Sequence, residues 1–389
     1  MNKNLQYLAW AFLGIGGSIF VYLIIKAGID GYSIRFIRDT NYAITGQFGD
    51  YIGGVVGTLF TCAGTLLIFV SLRLQVQENS KNAFEASFFE MLRLQRENIT
   101  ELDYRKYKDD GFIEYENRQV VSEIFKEFKE CYREIKKYSK VKSIDDCLST
   151  KYKNRLSEIC NETNVKVNLL QLAQIDLAYS VVYYGLSSEG ESIVRAKFRT
   201  WFKEAYLFRI LFLLKIKPKK QNFTRFKSWK LVRNLPVREL HLLVDELYGI
   251  RDAPQKTGNL SQIAKKLDLN HTYEKYYGGH QFRLGHYFRH LFQSFTFLIN
   301  HKSLTEDEKY SYGKMFRAQL STYEQALLLV NSLSSLGMKW EYVPDINEKG
   351  NPIRLISYFN VIKNIPGDRI LDIRFRKYYP NVEYEEQVL

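Results

Sequence analysis

Four of the six histidines, His271, His280, His286 and His290, fall within one stretch that also holds Arg283 and Arg289. Imidazole titrates near neutrality and can pass protons, while a guanidinium offers a planar, forked donor to a phosphate. At about 100° per residue of an α-helix, Arg283, His286, His290 and Gln293 share one narrow stripe. Leu284, Phe288, Leu291, Phe295 and Leu298 occupy the other side. Downstream, Arg317, Ser321, Glu324 and Asn331 share a stripe of their own. Antiparallel pairing of the two helices would therefore gather Arg, His and Glu in one groove.

Such a groove can hold a phosphodiester. Metal-free RNA cleavage needs a positioned 2'-hydroxyl, a proton donor or acceptor and a cation on the phosphate. Arg283, six residues, then His290 satisfies the Arg-x4-6-His pattern of the all-helical HEPN ribonucleases. On that reading His290 is the general acid/base, Arg283 steadies the phosphate, and His286, Arg317 and Glu324 support them. Two other readings stay open: a buried polar network that locks the helices in register, and recognition of a ligand or partner. The chain has no Gly-rich phosphate loop, HExxH, GxSxG or acidic cluster at metal spacing, so neither cofactor nor metal is expected.

The elements that must position these groups are helical. Thr305 with Glu308 forms a capping box that starts a helix through about Ser334, with Gly337 as its stop. The helix before it runs from about His280 to Asn300. Lys339 to Val343 reads as a short extended piece, and Asn351 with Pro352 introduces a last short helix to about Asn364. Upstream, Phe84, Phe88, Met91, Leu92 and Ile99 recur at helical spacing, as do Val120, Ile124, Phe125, Phe128, Tyr132 and Ile135. Further helices fit 164–186 and 192–214, with loops at 109–111 and 140–146. The fold class is all-α.

Two runs without any charge, Leu5 to Ile25 and Tyr51 to Leu72, each reach the roughly 20 residues that a bilayer-crossing helix needs. A signal peptide has a shorter apolar run, and a second run would not follow so closely. Gly14 and Ser18, and likewise Gly53, Gly57 and Thr61, are spaced four apart, the pattern by which membrane helices pack closely. The link between the spans balances Arg35 and Arg38 against Asp30, Asp39 and Asp50, whereas Arg73, Lys81, Arg93 and Arg96 follow the second span. Both termini are then expected on the cytoplasmic side. The domains expected are a transmembrane hairpin over 1–75, a helical region over 76–275, and a C-terminal helical domain over 276–389.

The net charge of +13 points to an anionic partner. Its densest source is Ala205 to Arg238, with ten Lys/Arg and no acid. There Lys219, Lys220, Arg225, Lys227 and Lys230 are interleaved with Phe223, Phe226 and Trp229. That composition suits unpaired nucleic acid, an anionic leaflet or a solvated loop. A mean hydropathy of -0.29 with 46% apolar residues excludes a chain embedded in the membrane along most of its length and a disordered chain. The cysteines at 62, 131, 147 and 160 form no CxxC pair and read as small buried hydrophobes in a reducing compartment.

Four segments together resemble the AbiC-like family of phage abortive infection proteins. They are FGDYIGGVVGTLFTCAGTLLIFVSL (48–72), FFEMLRLQRENI (88–99), GHQFRLGHYFRHLFQ (279–293) and FRAQLSTYEQALLLVN (316–331). The segment from Thr100 to about Tyr273 carries no such signature. The resemblance implies bacterial antiphage defence executed from the inner membrane. The partners expected beside it are the membrane, RNA, a phage protein that acts as trigger, and further copies of the chain. Three readings are compatible with it: RNA cleavage by the helical domain, a non-enzymatic sensor whose hairpins oligomerise and breach the membrane, or a scaffold that only recruits other defence proteins.

Overall fold

The computed structural model describes residues 2–30, 42–108, 111–139, 143–252, 272–347, 350–370 and 373–385. Most of it is helical, with one two-stranded sheet, and it divides into two compact units, Met1–Ser87 and Phe88–Leu389. The expected boundary at 275/276 falls inside the second unit.

In the first unit α1 (Asn2–Ile29) is followed by α2 (Tyr42–Tyr51), a π-helical turn (Ile52–Gly57) and α3 (Thr58–Thr100). Both apolar runs thus lie on helices long and apolar enough to cross a membrane. Their large apolar side chains are uncovered, with Trp10 59% and Ile68 64% exposed. Gly16 lets α1 approach α3 closely, because a Cβ there would stand 3.0 Å from the Phe60 ring. The expected Gly53, Gly57, Thr61 face is altered: Gly53 and Gly57 lie in the π-turn, whose wider winding breaks the four-residue repeat. Cys62 is exposed on α3, while Cys131, Cys147 and Cys160 are buried. Arg35, Arg38 and Asp39 lie outside the described residues.

The second unit begins with the last turns of α3, where Phe88, Leu92 and Ile99 are buried. An antiparallel hairpin follows, β1 (Asp103–Lys108) with β2 (Gly111–Glu116), pairing Tyr104 with Tyr115 and Arg105 with Glu114. Of the loop expected at 109–111, residues 109 and 110 lie outside the described residues, and Gly111 already belongs to β2. The helices that follow are α4 (Arg118–Tyr138), α5 (Thr150–Glu162), α6 (Leu169–Tyr184), α7 (Ser188–Phe198), α8 (Glu204–Lys215), α9 (Phe223–Arg233) and α10 (Val237–Asp252). The C-terminal set is α11 (Gln281–Asn300), α12 (Glu306–Gln319), α13 (Thr322–Leu333) and α14 (Leu355–Phe359).

Helices α4, α6 and α13 pack on one another at the centre. Their composition explains the placement. Every residue of α6 from Leu172 to Val182, and of α13 from Glu324 to Leu333, is buried, as expected of helices apolar on all sides. Helix α11 packs on α6 and α12, and α12 on α14, where Gly313 leaves room for the Phe359 ring.

Two expected helices are broken. The 192–214 stretch divides at Arg199–Lys203, where Trp201 O accepts from Ser149 N and Lys203 N donates to Cys147 O. Thr305 does cap α12 through its box with Glu308, yet the helix ends at Gln319, not near Ser334. Ser321 and Glu324 form a second capping box that starts α13. A serine hydroxyl competes for backbone N–H groups and so favours a helix start over an interior. Residues 338–340 form a 3-10 turn in place of an extended piece, and the last helix stops at Asn360, whose φ is +52°.

Candidate functional site

Helix α11 starts at a close crossing of two chain segments. Gly279 lies at φ +90° and Gly185 at φ +81°. A Cβ on Gly279 would stand 2.6 Å from Tyr184 O, and one on Gly185 would stand 2.6 Å from the Gly278 carbonyl. Across the crossing His280 N donates to Tyr183 O and Leu186 N to Tyr277 O, both at 2.8 Å. Gly279→Ala is expected to lower unfolding free energy by about 1–3 kcal/mol. Gly278→Ala, with open space around its Cβ, is expected to stay near neutral. Urea titration of the two variants checks this.

From that start α11 turns Leu284, Tyr287, Phe288, Leu291 and Phe295 into the core, and His290 reaches the end of α3. There His290 Nδ1 donates to Gln95 Oε1 at 2.9 Å. Burial holds the His290 pKa below its usual value, so the ring is neutral at pH 7. Gln95 is buried, and its Nε2 has no hydrogen-bond partner among the described residues. One turn back, Tyr287 donates to Glu324 Oε1 at 2.9 Å, and Glu324 Oε2 accepts from Ser321 N at 2.8 Å and lies 3.3 Å from Arg118 Nε. Burial, then the Glu324 carboxylate, pushes the Tyr287 hydroxyl well above its ordinary range. The segments 88–99, 279–293 and 316–331 therefore meet in one buried polar network.

The remaining members of the expected groove are held elsewhere. Arg283 Nε donates to Asp103 O at 2.6 Å, and its Nη1 lies 3.5 Å from His280 Nδ1. Arg317 is buried and donates to Phe359 O at 3.0 Å. His286 is exposed and lines an open cleft with Arg289, Tyr183 and Tyr184. His271 lies outside the described residues. Arg283 and His290 share one side of α11, two turns apart, but each is bonded to a different element. No single groove collects Arg283, His290, Arg317 and Glu324.

The basic segment is divided in the same way. Arg225 is buried with its guanidinium 3.9 Å over the Tyr273 ring, and Trp229 is buried beneath Lys217 and Arg233. Trp229 is thus a core residue and presents no face to a base. Lys219 pairs with Glu274 at 3.1 Å, Lys220 is half-buried, and Lys227, Lys230 and Phe223 are exposed, with the Lys230 ammonium 5.3 Å over the Phe226 ring.

Sequence reasoning missed the most highly charged part of the unit. Glu123, Glu127, Glu130 and Glu134 follow one another at spacings of four, three and four on α4, and three of them are buried. His280 Nε2 lies 3.4 Å from Glu127, which also accepts from Tyr104. Burial alone would raise the Glu127 pKa, but His280, Lys106 and Tyr104 outweigh it and hold the carboxylate below its usual range. Lys217, 1% exposed, bonds Glu130 at 2.8 Å and Glu134 at 3.0 Å, while Tyr276 donates to Glu130 and Tyr277 to Glu134. The signal was legible as a helical Glu stripe next to an apolar one. Among the described residues no three His, Cys, Asp or Glu side chains group as a metal site.

An all-helical chain with two helices of membrane-crossing length ahead of a larger helical unit is the class that the fold defines. Within it, residues 279–368, from the glycine crossing through α14, match the family described as "putative phage abortive infection protein". The match supports a role in phage abortive infection. No curated protein and no solved structure matches the chain.

Proposed function

We propose that the chain is an abortive infection protein anchored in the bacterial inner membrane by α1 and the first half of α3, with Phe88–Leu389 and both termini in the cytoplasm. It answers infection without enzymatic chemistry. A phage protein is the trigger, and copies of the chain assemble and breach the membrane. The observation that carries this reading is the pairing of the family match at 279–368 with two helices whose apolar side chains are uncovered. Exposed apolar surface on that scale is stable in lipid and costly in water.

RNA cleavage is the second reading, favoured by the placement of Arg283 and His290 on one side of α11. It requires Arg283 to leave the Asp103 carbonyl and His290 to leave Gln95, because each is occupied in the structure. That makes it the more demanding of the two.

Cell fractionation is expected to place the full chain in the inner membrane, and a version starting at Ser80, which keeps the last turns of α3, in the soluble fraction. Phage infection of cells carrying the full chain is expected to depolarise the membrane before bulk RNA is lost. Full-length protein in the soluble fraction would discard the anchor, and RNA breakdown with an intact potential would favour cleavage.

A further inference from the structure

The outward surface of α11 carries a cleft that the proposed function leaves unused. Its first lobe, about 430 Å³, lies between Tyr183 and Tyr184 of α6, the Gly278–Gly279 backbone, and Phe282, His286 and Arg289 of α11. A second lobe of about 290 Å³ shares Tyr183 and Arg289 and continues past Gln293 to Lys339. The lobes lie at the lower end of the range of small-ligand sites, roughly 300–1,000 Å³.

The lining is chemically one-sided, because neither lobe includes a carboxylate. Arg289 is exposed, and its Nε donates to Gly285 O at 2.9 Å, while no acid among the described residues pairs with its guanidinium. It lies close enough to Tyr183 to oppose the rise that burial imposes on the tyrosine pKa. His286 is exposed, with no polar partner among the described residues. Two ring systems stand beside these side chains: half-buried Tyr184 at the wall, with the Lys197 ammonium 5.8 Å over its ring, and Phe282 at the rim, 66% exposed with the Arg283 guanidinium 4.1 Å over one face. The wall is held in place by the glycine crossing and by Gly285, where a Cβ would stand 3.1 Å from the Tyr183 hydroxyl.

A guanidinium without an acid partner and an exposed imidazole, set beside rings that already carry cations on one face, fit a ligand that joins an anion to a flat ring. We infer that this cleft binds a nucleotide, with its phosphate on Arg289 and His286 and its base against Tyr184 and Phe282. The inference holds whether or not the chain crosses a membrane.

Equilibrium dialysis of the full chain in detergent micelles tests it, with AMP, GMP, CMP, UMP and their triphosphates as probes. Adenosine, inorganic phosphate and a ten-nucleotide single-stranded RNA serve as comparisons. At least one nucleotide is expected to bind saturably and at least tenfold tighter than adenosine or inorganic phosphate. Arg289→Gln is expected to weaken that binding roughly tenfold or more, as loss of a charge-assisted phosphate contact does. His286→Gln is expected to weaken it as well, because the imidazole N–H donor is lost. Both side chains are exposed, so the unliganded variants should melt with the parent. The inference is overturned if no nucleotide binds saturably, if phosphate binds as well, if only the RNA binds, or if affinity is indifferent to both substitutions.

Discussion

Lys217→Ala is expected to destabilise the second unit by about 3–5 kcal/mol, the loss seen when one member of a buried charged cluster is removed. Domains of this kind are stable by only about 5–15 kcal/mol, so the variant should melt far below the parent or fail to accumulate. The cost comes less from the lost attraction than from what stays behind. Glu134 is buried and Glu130 half-buried; both would lose their hydrogen-bonded ammonium, and Glu134 would keep only Arg233, 3.8 Å away. The Tyr276 ring, 3.6 Å from the Lys217 Nζ, would lose its cation as well. A triple variant, Lys217→Met with Glu130→Gln and Glu134→Gln, should recover most of the loss, because no buried charge is then stranded. Thermal melts of the parent and both variants decide the matter, and a Lys217→Ala protein that melts with the parent would refute the cluster's importance.

The same cluster sets a pH dependence. Glu127 and Glu130 have folded pKa values below the unfolded value, so the stability they contribute is complete above the unfolded carboxylate pKa of about 4.3 and is lost as pH falls through the folded values. Asp176 and Glu341, raised by burial, act in the opposite sense: their protonation favours the folded state.

Much of the helical architecture was open to sequence reasoning. The two uncharged runs, the continuation of the second into Phe88 and Leu92, and the Thr305 capping box rest on local patterns that tertiary contacts reinforce. The misses have physical causes. The stretch 305–334 reads as one helix by periodicity, yet Ser321 and Glu324 carry the same box signature as Thr305 and Glu308. The hairpin at 103–116 is short and polar, and it is held against α4 by Tyr104 and Lys106, contacts that no local pattern announces.

The site was legible only in part. The polar stripe on α11 is real as a stripe, but its members have separate partners on β1, α3 and the cleft. Which partner each side chain meets depends on long-range packing. Trp229 shows the same limit: cations and aromatics interleaved in sequence read as an exposed binding segment. Lys217 instead faces inward to meet the acids of α4, and Trp229 is buried beneath it.

His290→Ala is expected to lower unfolding free energy by about 1–3 kcal/mol, because the buried Gln95 Oε1 would lose its donor. Phage protection should fall with protein level and no further. His290, neutral when folded, also makes stability decline as pH drops from about 6.5 toward its lower folded value. The decisive variant replaces both partners, Gln95→Met with His290→Leu. Removing a buried donor and its acceptor together leaves nothing unsatisfied, so the double variant should regain most of the stability and, with it, the protection. A catalytic imidazole predicts the reverse, since no apolar side chain can pass a proton. A double variant that is folded, abundant and unable to protect cells would make His290 the reacting group. One that protects as the parent does would confine His290 to its bond with Gln95.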